Sequence, residues 1–481
     1  PPADSARRFG VYAWGFDDSS YPVCPTCPDR LNWAADKVAA TGSRTLRVYL
    51  GARDPYHVNP LFNPEDGGFL ARIVAGSSYP IFAADTAYRR LFSDPRFDTY
   101  LLTVYSPADE RGDWLLGDYR RDGAPLEKEQ IAQLGSLLLD AYPGKTFILL
   151  NWEGDNAIRG HADEPAAWDA YVAWIRARTA GVRAARARAP GSPGRIFSAL
   201  EFNLVQRNGV ACGADDALPH RCILDFVGPR VDVDYYSYSA WQTLDVKRTN
   251  PAASLKGELK ASLGFALDLL RRARPELGPA NFLLGEFGFA RTAPRYGECR
   301  AAAYVEELLR SFAARDAFGV SYAIFWQVLD NSPTQQADWV AYGLFRGADG
   351  GLTLPGAAFR AALLGRRTGL PEGCPRINGC LGDSGNSCGA VNPAADWLPR
   401  FTPESDLAIF GANFSPAGNV VQVVQNGHRY LLTADAALAW HESRGQINAT
   451  LPPGLVPGIA LVYVTDARGL DSNGQLLDLE P

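Results

Sequence analysis

Between residues 8 and 365 the chain alternates two hydrophobic rhythms. Short apolar runs of strand length fall at 9–16, 45–51, 97–105, 146–153, 195–203, 231–238, 281–289 and 320–328. Between them, at 31–40, 126–141, 164–187, 254–273 and 301–314, apolar residues recur at three- and four-residue spacing. The first rhythm suits buried strands and the second amphipathic helices. Gly42 follows the first helical stretch, and Pro125 and Pro143 bracket the second, as expected of residues that stop a helix or fit only its first turn. Alternating strands and helices imply parallel strands joined by crossovers, and eight strands predict an α/β fold of the (β/α)8 TIM-barrel type. No Gly-x-Gly-x-x-Gly turn follows the first strand, which disfavours an open dinucleotide-binding sheet.

Residues 52–95, between the second and third strands, are rich in Pro, Gly and Asn and read as a long insertion at the active face of the barrel. Residues 366–400 lose both rhythms and hold Cys374, Cys380 and Cys388, so they read as a cross-linked linker. Short strands follow at 407–414, 420–425, 429–433, 446–450 and 460–465, divided by turn signals such as Asn426-Gly427. They predict a small all-β sandwich. Three units are therefore expected: a barrel over 1–365, a linker over 366–400 and a β-sandwich over 401–481.

Side chains two residues apart share a face of a strand. Strict alternation groups Arg47 with Tyr49, Asn151 and Glu153 with Phe147 and Leu149, and Glu201 with Asn203. It also groups Asp234 with Tyr236 and Tyr238, Glu286 with Phe282 and Leu284, and Trp326 with Tyr322 and Ile324. In nearly every strand the polar member comes late, after the apolar ones. A barrel with a packed interior and a reactive C-terminal rim requires that order. Trp14, Trp114, Trp152, Trp241, Trp326 and Trp339 also fall at or after strand ends, where they could pack the core or form a stacking surface.

Bulk composition narrows the partners. The 481 residues are 47% hydrophobic and 21% charged, with a formal net charge of -6. That balance gives no electrostatic reason to expect nucleic acid or an anionic membrane. No apolar run is long enough to span a bilayer, and a monomer is expected. The start, Pro1-Pro2-Ala3-Asp4, lacks Met and an apolar signal core, and reads as processed. Cys24, Cys27, Cys212, Cys222, Cys299, Cys374, Cys380 and Cys388 make an even set, mostly in loops. This favours disulfides and secretion. Cys24-Pro-Thr-Cys27 also has zinc-ligand spacing, but no second close pair follows, and the five histidines are scattered. Cys212 with Cys222 is the expected local bridge; the other pairings stay open. No metal and no cofactor are expected.

The chemistry centres on two carboxylates at the ends of different buried strands, Glu153 and Glu286. A charge inside an apolar run is costly unless paired or used. Two such groups are the minimal set for glycoside hydrolysis: one protonates the leaving oxygen, and the other works from the opposite face of the sugar. Glu201, on the adjacent strand, is a credible substitute for Glu153 as the acid, and otherwise a supporting residue. Tyr236 or Tyr238 could orient Glu286, and Arg47 could add positive potential at the same floor.

Leu46-Arg47-Val48, Asn151-Trp152-Glu153, Tyr236-Ser237-Tyr238, Gly285-Glu286-Phe287 and Phe325-Trp326 together resemble the clan-A glycoside hydrolases. These are retaining barrel enzymes with an acid/base Glu after strand four and a nucleophilic Glu after strand seven. The resemblance implies Glu153 as acid/base, Glu286 as nucleophile, and Tyr236 or Tyr238 orienting it. Arg47, Tyr49, Asn151, Trp152, Glu201, Asn203, Trp241 and Trp326 would line the carbohydrate site. In that clan the strand-four Asn directly precedes the Glu, whereas here Trp152 stands between them. Phe410-Gly411-Ala412-Asn413-Phe414 and Val462-Tyr463-Val464-Thr465 resemble the immunoglobulin-like IPT/TIG domains of surface and secreted proteins. A second function class follows from that tail: a non-catalytic carbohydrate-binding or adhesion protein on a barrel scaffold. A barrel hydrolase of another type is disfavoured, since no Gly-x-Ser-x-Gly elbow and no His-rich metal cluster occur.

Overall fold

The computed structural model describes residues 3–14, 29–51, 86–105, 123–249, 253–291, 296–313, 319–330, 341–346, 350–366, 374–382, 400–426, 428–434, 438–441, 444–472 and 475–480. Eight parallel strands close into a barrel: β1 (Phe9–Tyr12), β2 (Thr45–Leu50), β3 (Thr99–Val104), β4 (Thr146–Leu150), β5 (Arg195–Phe202), β6 (Tyr235–Ser239), β7 (Phe282–Phe287) and β8 (Tyr322–Phe325). Each strand pairs with its sequence neighbours, and β8 closes on β1. The expected fold class is the observed one.

Helices pack on the outer face: α1 (Arg30–Ala40), α2 (Thr86–Ser93), α3 (Gly123–Ala141), α4 (Pro165–Arg188), α5 (Leu255–Arg271), α6 (Glu298–Ala313) and α7 (Leu354–Leu363). The Asp29 carboxylate accepts the Asn32 N–H, and the Ser254 hydroxyl accepts the Gly257 N–H, so α1 and α5 begin on side-chain caps. Helix α2 lies inside the stretch read as irregular insertion. It forms because Phe92 fills a space between the rings of Tyr100, Tyr142 and Phe147, at centroid distances of 5.0, 5.4 and 5.6 Å. Tertiary packing supplies what local periodicity lacked. Residues 52–85 of that insertion lie outside the described residues, as do Trp114, Trp339, Cys24, Cys27 and Cys388 elsewhere in the chain.

Beyond the barrel two sheets face one another. One runs Arg376–Gly382, Asp406–Ala412, Arg444–Thr450, Leu438–His441; the other runs Arg400–Phe401, Gln475–Leu479, Gly458–Thr465, Val420–Gln425, His428–Thr433. Leu407, Ile409 and Ile447 of the first meet Val421, Val423, Val462, Val464 and Leu477 of the second in one buried cluster. The stretch read as a linker therefore contributes a strand: Arg376–Gly382 pairs antiparallel with Asp406–Ala412. Its short run around Ile377 carried too little alternation to show this in sequence.

Barrel and sandwich are joined through buried groups. The Arg300 guanidinium of α6 lies 2.8 Å from Asp471 and 4.0 Å above the Tyr463 ring. Gly297, at φ +77, leaves room for Asp471, because a Cβ there would stand 2.2 Å from its Oδ2. Cys299, the residue before Arg300, is bonded to Cys374. The expected Cys212–Cys222 bridge is also present.

Removing one partner of a buried ion pair leaves the other charge without compensation, at a cost of about 3–5 kcal/mol. Asp471→Ala should therefore lower unfolding stability by about that amount and loosen the sandwich first, with the loss visible by hydrogen exchange across 458–465. A denaturation midpoint unchanged from wild type would contradict this account of the joint.

Candidate active site

The interior of the barrel is organised around Arg47 on β2. Its Nε donates to Thr103 Oγ1 (2.9 Å), Nη1 to Glu201 Oε2 (2.9 Å) and to the Gly285 carbonyl (2.9 Å), and Nη2 to Glu201 Oε1 (2.9 Å). The Tyr12 ring covers the guanidinium at 4.6 Å. Both Arg47 and Glu201 are fully buried. The Ser237 hydroxyl donates to Glu201 Oε2 at 2.8 Å, and the Glu153 N–H donates to Oε1 at 3.1 Å. Each oxygen of Glu201 thus accepts two hydrogen bonds. It is the counter-ion of Arg47, and that engagement argues against it as a substitute acid.

Glu153 and Glu286 meet above this pair. Ser239 Oγ, the last residue of β6, lies 2.6 Å from Glu153 Oε1 and 3.4 Å from Glu286 Oε2. Asn156 donates its amide to Glu153 Oε2, and Trp241 Nε1 donates to Glu286 Oε2 at 3.3 Å. Glu286 Oε1 lies 3.3 Å from Arg47 Nη1 but carries no hydrogen bond. Burial pushes the Glu286 carboxyl well above the usual carboxylate range; Arg47 opposes the push, while Glu153 and Glu201 add to it. Burial also raises Glu153, opposed chiefly by the neutral Ser239 donor.

Two backbone irregularities bring these side chains together. Glu153 has φ +28 and ψ 72, a region that L-residues seldom occupy. That turn separates it from Asn151, and strict alternation is corrected here. Asn151 faces the helices: its amide donates to Tyr171 Oη of α4 and to the Glu201 carbonyl, both at 2.9 Å, and its oxygen accepts the Glu201 N–H at 2.8 Å. It clamps strand β5 instead of lining the rim. In β7 the register with both neighbours shifts beside Gly285. Gly285 faces inward, since a Cβ there would fall 1.9 Å from Glu201 Oε2. Across the shift Glu286 also points in, while Phe282 packs against the Tyr236 ring at 5.9 Å on the helical side. The expected grouping of Glu286 with Phe282 and Leu284 is therefore replaced by a bulge.

Strand β6 is read with the opposite parity. Ser237 and Ser239 point into the barrel, whereas the Tyr236 hydroxyl donates to the Gly228 carbonyl (3.0 Å) and Tyr238 Oη pairs with Thr243 Oγ1 (2.7 Å). Burial pushes the Tyr236 phenol up to about 12. Neither tyrosine orients Glu286; Arg47, Ser239 and Trp241 do. The signal for the serines was present in Tyr235-Tyr236-Ser237-Tyr238-Ser239. A narrow barrel takes the small members of such an alternation inward and leaves the rings to the wider helical layer.

Of the remaining predicted residues, Asn203 exchanges hydrogen bonds with Asp155: its Oδ1 accepts the Asp155 N–H at 3.1 Å, and its N–H donates to Asp155 Oδ2 at 3.0 Å. Trp152 is 39% exposed, and its N–H meets Tyr105 Oη at 3.3 Å. Tyr49 and Trp326 join an aromatic arc. Trp326 stacks on Trp14 at 6.2 Å, Trp14 meets Tyr49 at 5.8 Å, and Tyr49 meets Tyr105 at 6.0 Å. Rings thus occupy the ends of β8, β1, β2 and β3, while carboxylates and hydroxyls occupy those of β4 to β7. Such a rim offers hydrogen-bonding and proton-transfer groups on one side and flat apolar faces on the other.

No protein-family profile matches the chain, and no curated protein matches it in sequence. Its fold is similar to solved glycoside hydrolases. A family 1 β-glucosidase from Thermotoga maritima aligns with 76% of this chain and 98% of its own, at 12% identity and a TM-score of 0.48. A β-glucuronidase from Bacteroides uniformis aligns with 99% of this chain at 10% identity and a TM-score of 0.44; the chain spans 46% of that enzyme's length. A family 39 glycoside hydrolase from Bacteroides cellulosilyticus WH2 aligns with 94% of this chain and 81% of its own, at 13% identity and a TM-score of 0.42. Likenesses at this level concern the fold alone.

A carboxyl whose pKa is raised on folding contributes stability while protonated and loses it as pH rises through the folded value. Glu286→Gln removes that loss. Its melting temperature should gain on wild type as pH rises above about 4.5, the ordinary glutamate value. A difference between the two proteins that stays constant or shrinks over this range would refute the raised carboxyl.

Proposed function

We propose that the chain is a retaining glycoside hydrolase acting on a poly- or oligosaccharide. The observation that carries this reading is the single hydroxyl of Ser239 reaching both carboxylates, at 2.6 and 3.4 Å. Those two contacts cannot span more than about 6 Å between the oxygens concerned. Retaining enzymes separate their carboxyls by about 5–5.5 Å, and inverting ones by about 6.5–9.5 Å to admit a water.

In this reading Glu286 is the nucleophile and Glu153 the acid/base. A hydroxyl has one proton and two lone pairs, so Ser239 can accept from a protonated Glu153 while donating to an ionised Glu286. Burial raises both carboxyls, but Arg47, next to Glu286 Oε1, is the foremost opposing group at Glu286 and the last at Glu153, so the anion needed for attack forms at Glu286. Glu286 Oε1 attacks the anomeric carbon as the glycosidic C–O bond breaks, and the Glu153 proton passes to the leaving oxygen. Water then attacks the same carbon, giving its proton to Glu153 as the bond to Glu286 breaks. The aromatic arc supplies apolar surface for the C–H faces of sugar rings. No step requires a cofactor.

The sandwich is proposed as an immunoglobulin-like accessory domain of the IPT/TIG type, and the two described disulfides fit a secreted protein. The described residues include no helix long and apolar enough to cross a membrane.

Incubation with a panel of polysaccharides and aryl glycosides, scoring released sugar, tests the reading. Glu286→Gln should abolish release. Glu153→Gln should cost about 10²–10⁴-fold on poor leaving groups and far less on activated ones. Glycan binding without new reducing ends in the wild type would favour the non-catalytic alternative, and full activity in both variants would discard the assignment.

A further inference from the structure

We propose that Glu201 is a positioning residue for both reacting carboxyls, an inference that rests on the glycosidase reading above. Three observations converge on it. Its two oxygens fix Arg47 at 2.9 Å each, and the same guanidinium nitrogen that meets Oε2 lies 3.3 Å from Glu286 Oε1. Its Oε1 also accepts the Glu153 N–H at 3.1 Å, at a residue with φ +28. Its own backbone is held on both sides by the Asn151 amide, at 2.8 and 2.9 Å. One side chain thereby anchors the nucleophile through a cation and the acid through its main chain.

The unusual conformation at Glu153 needs such an anchor. Sparsely populated backbone regions persist where surrounding groups over-determine them. A regular β4 would have turned Glu153 toward Tyr171, on the side Asn151 occupies. Glu201 also determines how much of the Arg47 charge reaches the rim. The charged and titratable groups around it are Tyr12 on β1, Arg47 on β2, Glu153 after β4 and Glu286 on β7; Thr103 on β3 and Ser237 on β6 are neutral. Behind β5, Tyr171 is reached through Asn151. Removing the Glu201 charge would leave Arg47 to act on Glu286, and would lift a negative charge from both Glu153 and Glu286, each of which it raises.

Two variants separate position from charge. Glu201→Gln keeps the size and an acceptor oxygen but loses the charge. Its kcat should fall about 10–100-fold with KM little changed, and both limbs of its pH–activity profile should move to lower pH by about one unit. Asn151→Ala frees the β5 backbone and leaves every charge in place, so kcat should fall while both limbs stay at their wild-type pH. A purely structural Glu201 would lower melting temperature and the fraction of active enzyme without moving either limb, and that result would overturn the proposal. Wild-type kcat in Asn151→Ala would overturn it as well, even if Glu201→Gln fails to fold. These outcomes are distinct from failure of the glycosidase reading, which Glu286→Gln reports.

Discussion

The buried ion pair between Arg47 and Glu201 is the constraint around which the barrel interior is built. Taking both charges out of water costs several kcal/mol each, and attraction between them repays it only if the remaining donors and acceptors are also satisfied. The surrounding strands meet that demand. β3 supplies Thr103, β6 supplies Ser237, β7 offers a carbonyl and a glycine with no side chain to intrude, and β1 covers the cation with Tyr12. Six strands are thereby held in mutual register by one charged contact at the barrel axis, just below the rim.

Above that floor the rim is divided by chemistry. The ends of β4 to β7 hold Glu153, Ser239, Trp241 and Glu286, whereas β8, β1, β2 and β3 end in aromatic rings. A sugar has polar edges and apolar faces, so it is matched by a site with both kinds of wall. The short distance from one serine to two raised carboxyls is what turns such a binding surface into a candidate for bond cleavage. A hydroxyl has one proton and two lone pairs, so one serine can accept from a protonated carboxyl while donating to an ionised one.

Much of this was legible in the chain. Alternating periodicities gave the barrel, and the late position of polar residues marked its reactive face. Alternation also assigned Arg47, Tyr49 and Glu201 to the interior, because β2 and β5 are regular where those residues lie. It failed where the backbone departs from a strand. Glu153 sits on a positive-φ turn and Glu286 beside a bulge, and neither deviation leaves a periodic trace. On β6 alternation was sound, but the sequence does not say which face is the inner one; tyrosines suggested chemistry, while the narrow interior admitted only serines. Cys212–Cys222 was accessible as a local bridge, whereas Cys299–Cys374 joins segments that only folding brings together.

In the proposed reaction Glu286 becomes covalently bonded to the sugar. A 2-deoxy-2-fluoro glycoside with an activated leaving group, made for the sugar that the panel identifies, slows breakdown of such an intermediate enough to trap it. Intact mass followed by peptide mapping should show one sugar per chain, attached to the peptide carrying Glu286. An adduct on Glu153 or Glu201, or turnover of the natural substrate with inversion and no adduct, would contradict the account.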